Sequence, residues 1–232
     1  MDYKDITVVL PTLNEKKTIG KLISAILNRY KGINIIVVDD SSTDGTIAVV
    51  NGIMSRDKHV RLLERKGKKA GLTAAIIDGI MMCRTRYVIV MDADMQHPYQ
   101  EIINIKKKFE QGYELVVAVR ESVKNWEFYR KLISRSLIYL GYTVLLANGK
   151  ARCSDIFSGY FGIKRDLFEK VFEANRGRFV MEGYKVLFDT LKCIDHKSVR
   201  IGEVPYHFHI REYGESKAGV KVGIALFKSF VT

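Results

Sequence analysis

The chain is poor in proline and cysteine, and it has no apolar run long enough to cross a bilayer. Three prolines and no Gly-rich tract in 232 residues leave no candidate linker, low-complexity segment or internal repeat, so residues 1–232 read as one domain. Three cysteines, Cys83, Cys153 and Cys193, are odd in number and lack metal-ligand spacing. This argues against a disulfide framework and for free thiols in a reducing, cytoplasmic compartment. The longest uncharged segment, 136–149, falls short of the roughly 20 residues of a membrane span and fits an interfacial or buried helix. Residues 1–5 lack the basic-then-apolar pattern of a signal peptide. Neither a glycine fingerprint after the first strand nor a Walker-type loop is present, which excludes the usual nicotinamide dehydrogenases and P-loop NTPases.

What is present is positive charge and a regular alternation of elements. Lys and Arg number 38 against 26 Asp and Glu, a net charge of +12, which asks for an anionic partner: nucleic acid, a phosphorylated small molecule or an acidic membrane surface. The basic residues are dispersed, and no zinc-finger or RNA-recognition signature accompanies them, so nucleic acid is the poorest fit. Apolar runs at 6–10 (stopped by Pro11), 33–38, 60–63, 87–91 and 115–119 predict strands. Helical spacing at 17–28, 46–54, 72–83 and 100–109 predicts helices between them, with Asp44 capping the second and Pro98 opening the fourth. That is the α/β pattern of a mainly parallel sheet flanked by helices. Further on, a strand is predicted near 157–163, helices near 166–174 and 182–193, and a strand near 198–204. Residues 126–140 mix aromatics with basic residues at helical spacing. Such a helix lies on a membrane surface or packs on the sheet or in a dimer interface. From Ala218 to Thr232 a second amphipathic helix is expected.

The most informative stretch is Asp92-Ala93-Asp94-Met95-Gln96, two carboxylates and a carboxamide following a strand long enough to be central. Extended residues i, i+2 and i+4 project to one side, where three oxygen donors can meet a hard divalent cation. Ligands of open α/β sheets bind beyond the carboxyl ends of the strands, and the loops after the first two strands, Pro11 to Glu15 and Val38 to Ser42, open on the same edge. Lys66, Lys68 and Lys69 form a flexible basic loop that approaches phosphate or is simply solvated. Arg120 follows the fifth strand. Arg130 and Ser134, at i and i+4, can grip one phosphate, and Arg211 and Lys217 can fold over a diphosphate. Glu182 reaches the sugar or begins a helix, while His207 and His209 lack a third ligand and read as structural.

These pieces together resemble the polyprenyl-phosphate glycosyltransferases of glycosyltransferase family 2, which have the Rossmann-like GT-A fold. The matching residues are Pro11-Thr12-x-Asn14-Glu15, Val38-Asp39-Asp40-Ser41 with Asp44-Gly45-Thr46, Lys69-x-Gly71-Leu72-x-x-Ala75, Met91 to Pro98, Ser158-Gly159-Tyr160 and Arg211-x-x-Gly214-x-Ser216-Lys217. The resemblance implies that Asp92, Asp94 and Gln96 hold Mg²⁺ or Mn²⁺, with the backbone of Ala93 on the nucleotide. It places Pro11, Leu13, Glu15, Val38, Asp40 and Asp39 at the nucleoside, Arg120, Arg130 and Ser134 at a lipid phosphate, and Arg120, Arg211 and Lys217 over the donor. Leu13 departs from the aromatic residue the family often carries there.

The implied activity is inverting transfer of mannose from GDP-mannose to dolichyl or another polyprenyl phosphate, with Asp94, Arg120, Arg130 and Ser134 at the reacting groups. UDP-glucose is the alternative donor. Because a phosphate acceptor is already anionic, no general base is required, in keeping with the absence of an obvious catalytic His. The implied location is the cytoplasmic face of a membrane, with amphipathic helices at about 124–148 and 218–232 on its surface. Many relatives continue into transmembrane helices, so the resemblance also implies an anchor subunit or an anchor outside this sequence.

Overall fold

The computed structural model describes residues 2–122, 128–183 and 185–208, with the side chains of 122 and 128–137 outside the description. Its elements are β1 (Ile6–Thr12), α1 (Ile19–Arg29), β2 (Asn34–Asp39), α2 (Thr46–Met54), β3 (Val60–Glu64), α3 (Leu72–Met82), β4 (Tyr87–Val90), α4 (Ile102–Glu110), β5 (Leu115–Ser122), α5 (Phe128–Ala147), β6 (Phe161–Lys164), α6 (Arg165–Ala174), α7 (Val186–Leu191) and β7 (Ile201–His207). One seven-stranded sheet has the order β3-β2-β1-β4-β6-β5-β7. β6 runs antiparallel to both β4 and β5, and every other pairing is parallel. The carboxyl ends of six strands therefore share one edge, and the chain entering β6 arrives at that edge too.

Alternating residues of each strand feed two apolar layers. Val9, Val38, Val88, Val90, Leu115 and Val117 pack with α3, α6 and α7. Val8, Leu10, Ile35, Val37, Ile89 and Val116 pack with α1 and α4 on the other face. α3 comes close enough that a Cβ at Gly79 would stand 2.6 Å from Val9 and 2.8 Å from Val38.

Several boundaries differ from the sequence reading. Pro11 does not stop β1, because its missing N–H faces the side where β4 has already ended at the Val9–Val90 pair. β6 begins at Phe161 rather than 157, since 157–160 form a loop pinned by the Ser158 hydroxyl, which donates to the Ala118 carbonyl at 2.7 Å. The helix expected from 182 begins at Val186, and the last strand runs on through Pro205 to His207. The described side chains of α5 begin at Ile138. A Cβ at Gly141 would lie 2.5 Å from Ile156 and 3.1 Å from Phe157, so one side is packed, while Tyr139, Leu140 and Leu146 face outward. The second amphipathic helix, expected from Ala218, lies outside the described residues, as does His209.

Candidate active site

The loops after β1 and β2 are tied together by side chains. Asp39 is fully buried; its carboxylate accepts from the Thr12 hydroxyl at 2.8 Å, the Ser42 N–H at 2.7 Å and the Ser42 hydroxyl at 2.6 Å. Asp39 thus organises the loop from inside. Asn14, with φ +56°, donates its N–H to the Ser42 hydroxyl and accepts from Thr43, and the Glu15 N–H donates to Thr46. Glu15 and Leu13 are partly exposed at the rim. The N-cap position of α2 falls to Gly45 rather than Asp44, and Asp44, one residue earlier, accepts from the Thr46 N–H at 2.9 Å and the Lys16 N–H at 3.0 Å. Val38 is wholly buried and Pro11 lies buried in β1, so the side chain of Val38 belongs to the core and only its backbone reaches the edge.

Asp40 is 11% exposed and pairs with Arg65, itself 3% exposed. It also accepts the Gly71 N–H at 2.8 Å, and Arg65 reaches Asp78 at 2.9 Å. This buried arginine, which nothing local in the sequence singles out, fixes Asp40 to the start of α3. Lys68 pairs with Asp78 at 3.0 Å, and Lys69 pairs with Glu182. The basic loop is thus held by carboxylates, and Glu182 lies outside α7.

β4 ends at Val90, before the acidic stretch, and Met95 takes φ +67°. The regular two-residue alternation expected for Asp92, Asp94 and Gln96 is therefore replaced by a turn, in which Asp94 accepts the Gln96 N–H at 3.1 Å. Asp94 is 8% exposed and the Asp92 side chain 40% exposed. The Asp92 N–H donates to His97 Nδ1 at 3.0 Å. Burial lowers His97 to about 4, Arg120 adding to the fall and Asp94 and Asp155 opposing it. The imidazole is consequently neutral at pH 7, and its 3.7 Å approach to the Asp92 carboxylate is not an ion pair. His97 stacks on Tyr160 at 5.2 Å, whose hydroxyl donates to the Pro98 carbonyl at 3.1 Å. Ser158-Gly159-Tyr160 thus braces the acidic turn, and a Cβ at Gly159 would sit 3.5 Å above the Asp92 carboxylate.

Arg120, at the end of β5, is gripped by Asp155 through Nε at 2.8 Å and Nη2 at 3.1 Å. Burial works against the Arg120 charge, yet Asp155 and, behind it, Tyr206 and Asp92 raise its pKa. Lys185 donates to the Phe157 carbonyl at 3.2 Å with its ammonium 4.9 Å from the Phe157 ring. Burial lowers it to about 7, Arg120 adding to the fall and Asp155 and Asp92 resisting it. Asp155 and Lys185 escape sequence reasoning. The first lies three residues before a recognisable tripeptide, while the second merely precedes an apolar run.

A family model described as Glycosyl transferase family 2 matches residues 7–172. The chain belongs to glycosyl transferase family 2. Dolichol-phosphate mannosyltransferase of Pyrococcus furiosus is 36% identical over 219 residues, covering 91% of this chain and 58% of that protein. The chain thus spans little more than half the length of this relative. The enzymes of the same name from Mycosarcoma maydis and Saccharomyces cerevisiae are 30% and 28% identical over 230 residues, covering 93% and 94% of this chain and 74% and 82% of theirs. Among solved structures, mannosyl-3-phosphoglycerate synthase from Rubrobacter xylanophilus superposes with a TM-score of 0.66 at 18% identity, over 97% of this chain and 72% of that one. Glucosyl-3-phosphoglycerate synthase from Mycobacterium tuberculosis, crystallised with Mn²⁺, UDP-glucose and phosphoglyceric acid, gives 0.63 at 21% identity, over 90% and 72%. The sheet and its helices are the GT-A fold of these glycosyltransferases.

Within this family fold the acidic turn fits a divalent cation chemically. Two carboxylates and a carboxamide are hard oxygen donors, and the absent Cβ of Gly159 leaves the approach to Asp92 open. Among the described residues no three His, Cys, Asp or Glu side chains form a complete metal cage, so an ion here would take its other oxygens from water and phosphate. Arg130 and Ser134 fall on α5, with side chains outside the described residues; Arg211 and Lys217 also lie outside them.

Proposed function

We propose that the chain transfers mannose, with inversion, from GDP-mannose to dolichyl phosphate or another polyprenyl phosphate, releasing GDP. The reading rests on the convergence at one sheet edge of the acidic turn at 92–96 with the Arg120–Asp155 pair, in a chain whose relatives are named dolichol-phosphate mannosyltransferase. Asp92, Asp94 and Gln96 would hold Mg²⁺ or Mn²⁺, and the bound ion supplies charge stabilisation to the nucleoside diphosphate. An acceptor phosphate oxygen forms the new bond to the anomeric carbon as the bond to the β-phosphate breaks, and no proton need be removed.

The residues act accordingly. Asp40, Leu13, Glu15 and the backbones of Pro11, Val38 and Ala93 line the nucleoside side. Arg120, clamped by Asp155, draws two anions together and stabilises charge developing on the leaving diphosphate, with Lys185, partly protonated near pH 7, behind it. Arg130 and Ser134 receive the acceptor phosphate, and Arg211 and Lys217 close over the donor. His97 is no base here, because its Nδ1 already accepts a backbone N–H. The outward Tyr139, Leu140 and Leu146 of α5 meet the cytoplasmic face of the membrane carrying the acceptor. No helix of the described residues is long and apolar enough to cross that membrane, and a separate anchor, in a partner subunit or in a further segment, would keep the domain there.

A competition assay tests this. The protein is incubated with Mg²⁺ or Mn²⁺, a polyprenyl phosphate and equal amounts of differently labelled GDP-mannose and UDP-glucose. Mannosyl lipid as the main product is expected. Glucosyl lipid would transfer the reading to UDP-glucose, and no lipid product from either donor would reject it.

A further inference from the structure

The hydroxyl of Tyr206 is buried and has no hydrogen-bond partner among the described residues, although its side chain is only 2% exposed. Burying a hydroxyl unpaired is unfavourable, and a phenylalanine of the same shape would avoid the penalty. The position is specific. Tyr206 stands directly opposite Arg120 in the β5–β7 register, so the two side chains share a face of the sheet. Its ring is fixed edge-on to His97 at 5.9 Å and to Tyr160 at 5.7 Å. Burial raises the phenol far above its ordinary pKa, with Arg120 opposing and Asp155, Asp92 and Asp94 adding to the rise. The group is therefore a neutral O–H donor among the charges of the site. Arg120 itself has Nε and Nη2 taken by Asp155, which leaves Nη1 without a partner among the described residues.

We propose that the Tyr206 hydroxyl donates a hydrogen bond to a phosphate oxygen seated beside Arg120, making it a substrate-binding residue of the transfer site. This rests on the functional reading above, in which both substrates carry phosphate. The oxygen belongs either to the donor diphosphate or to the acceptor phosphate, and the same variant distinguishes them.

Tyr206→Phe is compared with wild type in three measurements: the melting temperature without ligand, GDP affinity by calorimetry with Mn²⁺, and steady-state transfer with each substrate varied in turn. A hydrogen bond to a charged group corresponds to about 10- to 100-fold in binding or rate. The expected result is an unchanged or raised Tm with kcat/KM lowered by that factor. If GDP affinity falls with it, the oxygen is on the donor; if GDP affinity holds and the KM for polyprenyl phosphate rises, it is on the acceptor. Unchanged GDP affinity together with unchanged kinetics for both substrates overturns the proposal, and so does a lowered ligand-free Tm with unchanged substrate constants, the mark of a structural hydroxyl. Should wild type transfer nothing, the functional reading fails separately. Binding measurements then stand alone: weaker binding of GDP or of a polyprenyl phosphate in the variant supports Tyr206, and equal binding of both overturns it.

Discussion

Asp39 and Asp92 both follow strands, and their surroundings give them opposite tasks. Asp39 commits both oxygens to Thr12 and Ser42, whereas the Asp92 side chain is 40% exposed and its backbone N–H donates to His97. His97 can do so only while neutral, and this has a consequence for stability. Its pKa is near 4 in the folded domain against 6.5 in the unfolded chain, so between these values the unfolded chain binds a proton that the folded domain does not. Stability is then fully present above pH 6.5 and falls as the pH drops towards 4, by about 3 kcal/mol. Urea titrations at pH 7 and pH 4 should show that extra loss in wild type relative to His97→Asn, in which the side-chain carbonyl keeps an acceptor without titrating. Equal pH dependence in the two proteins would mean that His97 is not held neutral by the fold.

The strands were legible wherever a short apolar run lies between polar loops, as at 6–10 and 87–91, because both faces of a parallel sheet are covered. What could not be read was long-range. β6 is inserted antiparallel between β4 and β5, and that reversal brings Asp155 and Gly159 to the site edge from a stretch without local periodicity. The acidic turn was legible as residue types, while its left-handed Met95 was not. The start of α3 depends on a similar long-range fit. Gly71 has no room for a side chain, since a Cβ would run into the Met181 carbonyl oxygen and lie 3.0 Å from Glu182 Cα. The Thr73 and Ala74 N–H groups donate to the carbonyls of Gly183 and Met181 across the same seam. Gly71→Ala must therefore move backbone and disturb the N–H that Asp40 accepts. A loss of about 1–3 kcal/mol is expected, with weaker GDP binding. An unchanged urea midpoint would show that the seam yields freely.

For the whole molecule, the net charge of +12, the single sheet edge gathering the polar loops and the exposed Tyr139, Leu140 and Leu146 of α5 are consistent with the proposed function, in which a GT-A domain would bring a nucleoside diphosphate and a lipid-borne phosphate together. Opposition between two anions is the main physical obstacle in the proposed reaction, and the site would answer it with fixed cations and hard oxygen ligands instead of a proton acceptor. The most direct measurement is a crystal structure of the protein soaked with GDP and Mn²⁺, read by anomalous scattering. The account predicts manganese between the diphosphate and the oxygens of Asp92, Asp94 and Gln96, with Arg120 facing the same anion. Manganese bound elsewhere, or a diphosphate lying away from the acidic turn, would contradict it.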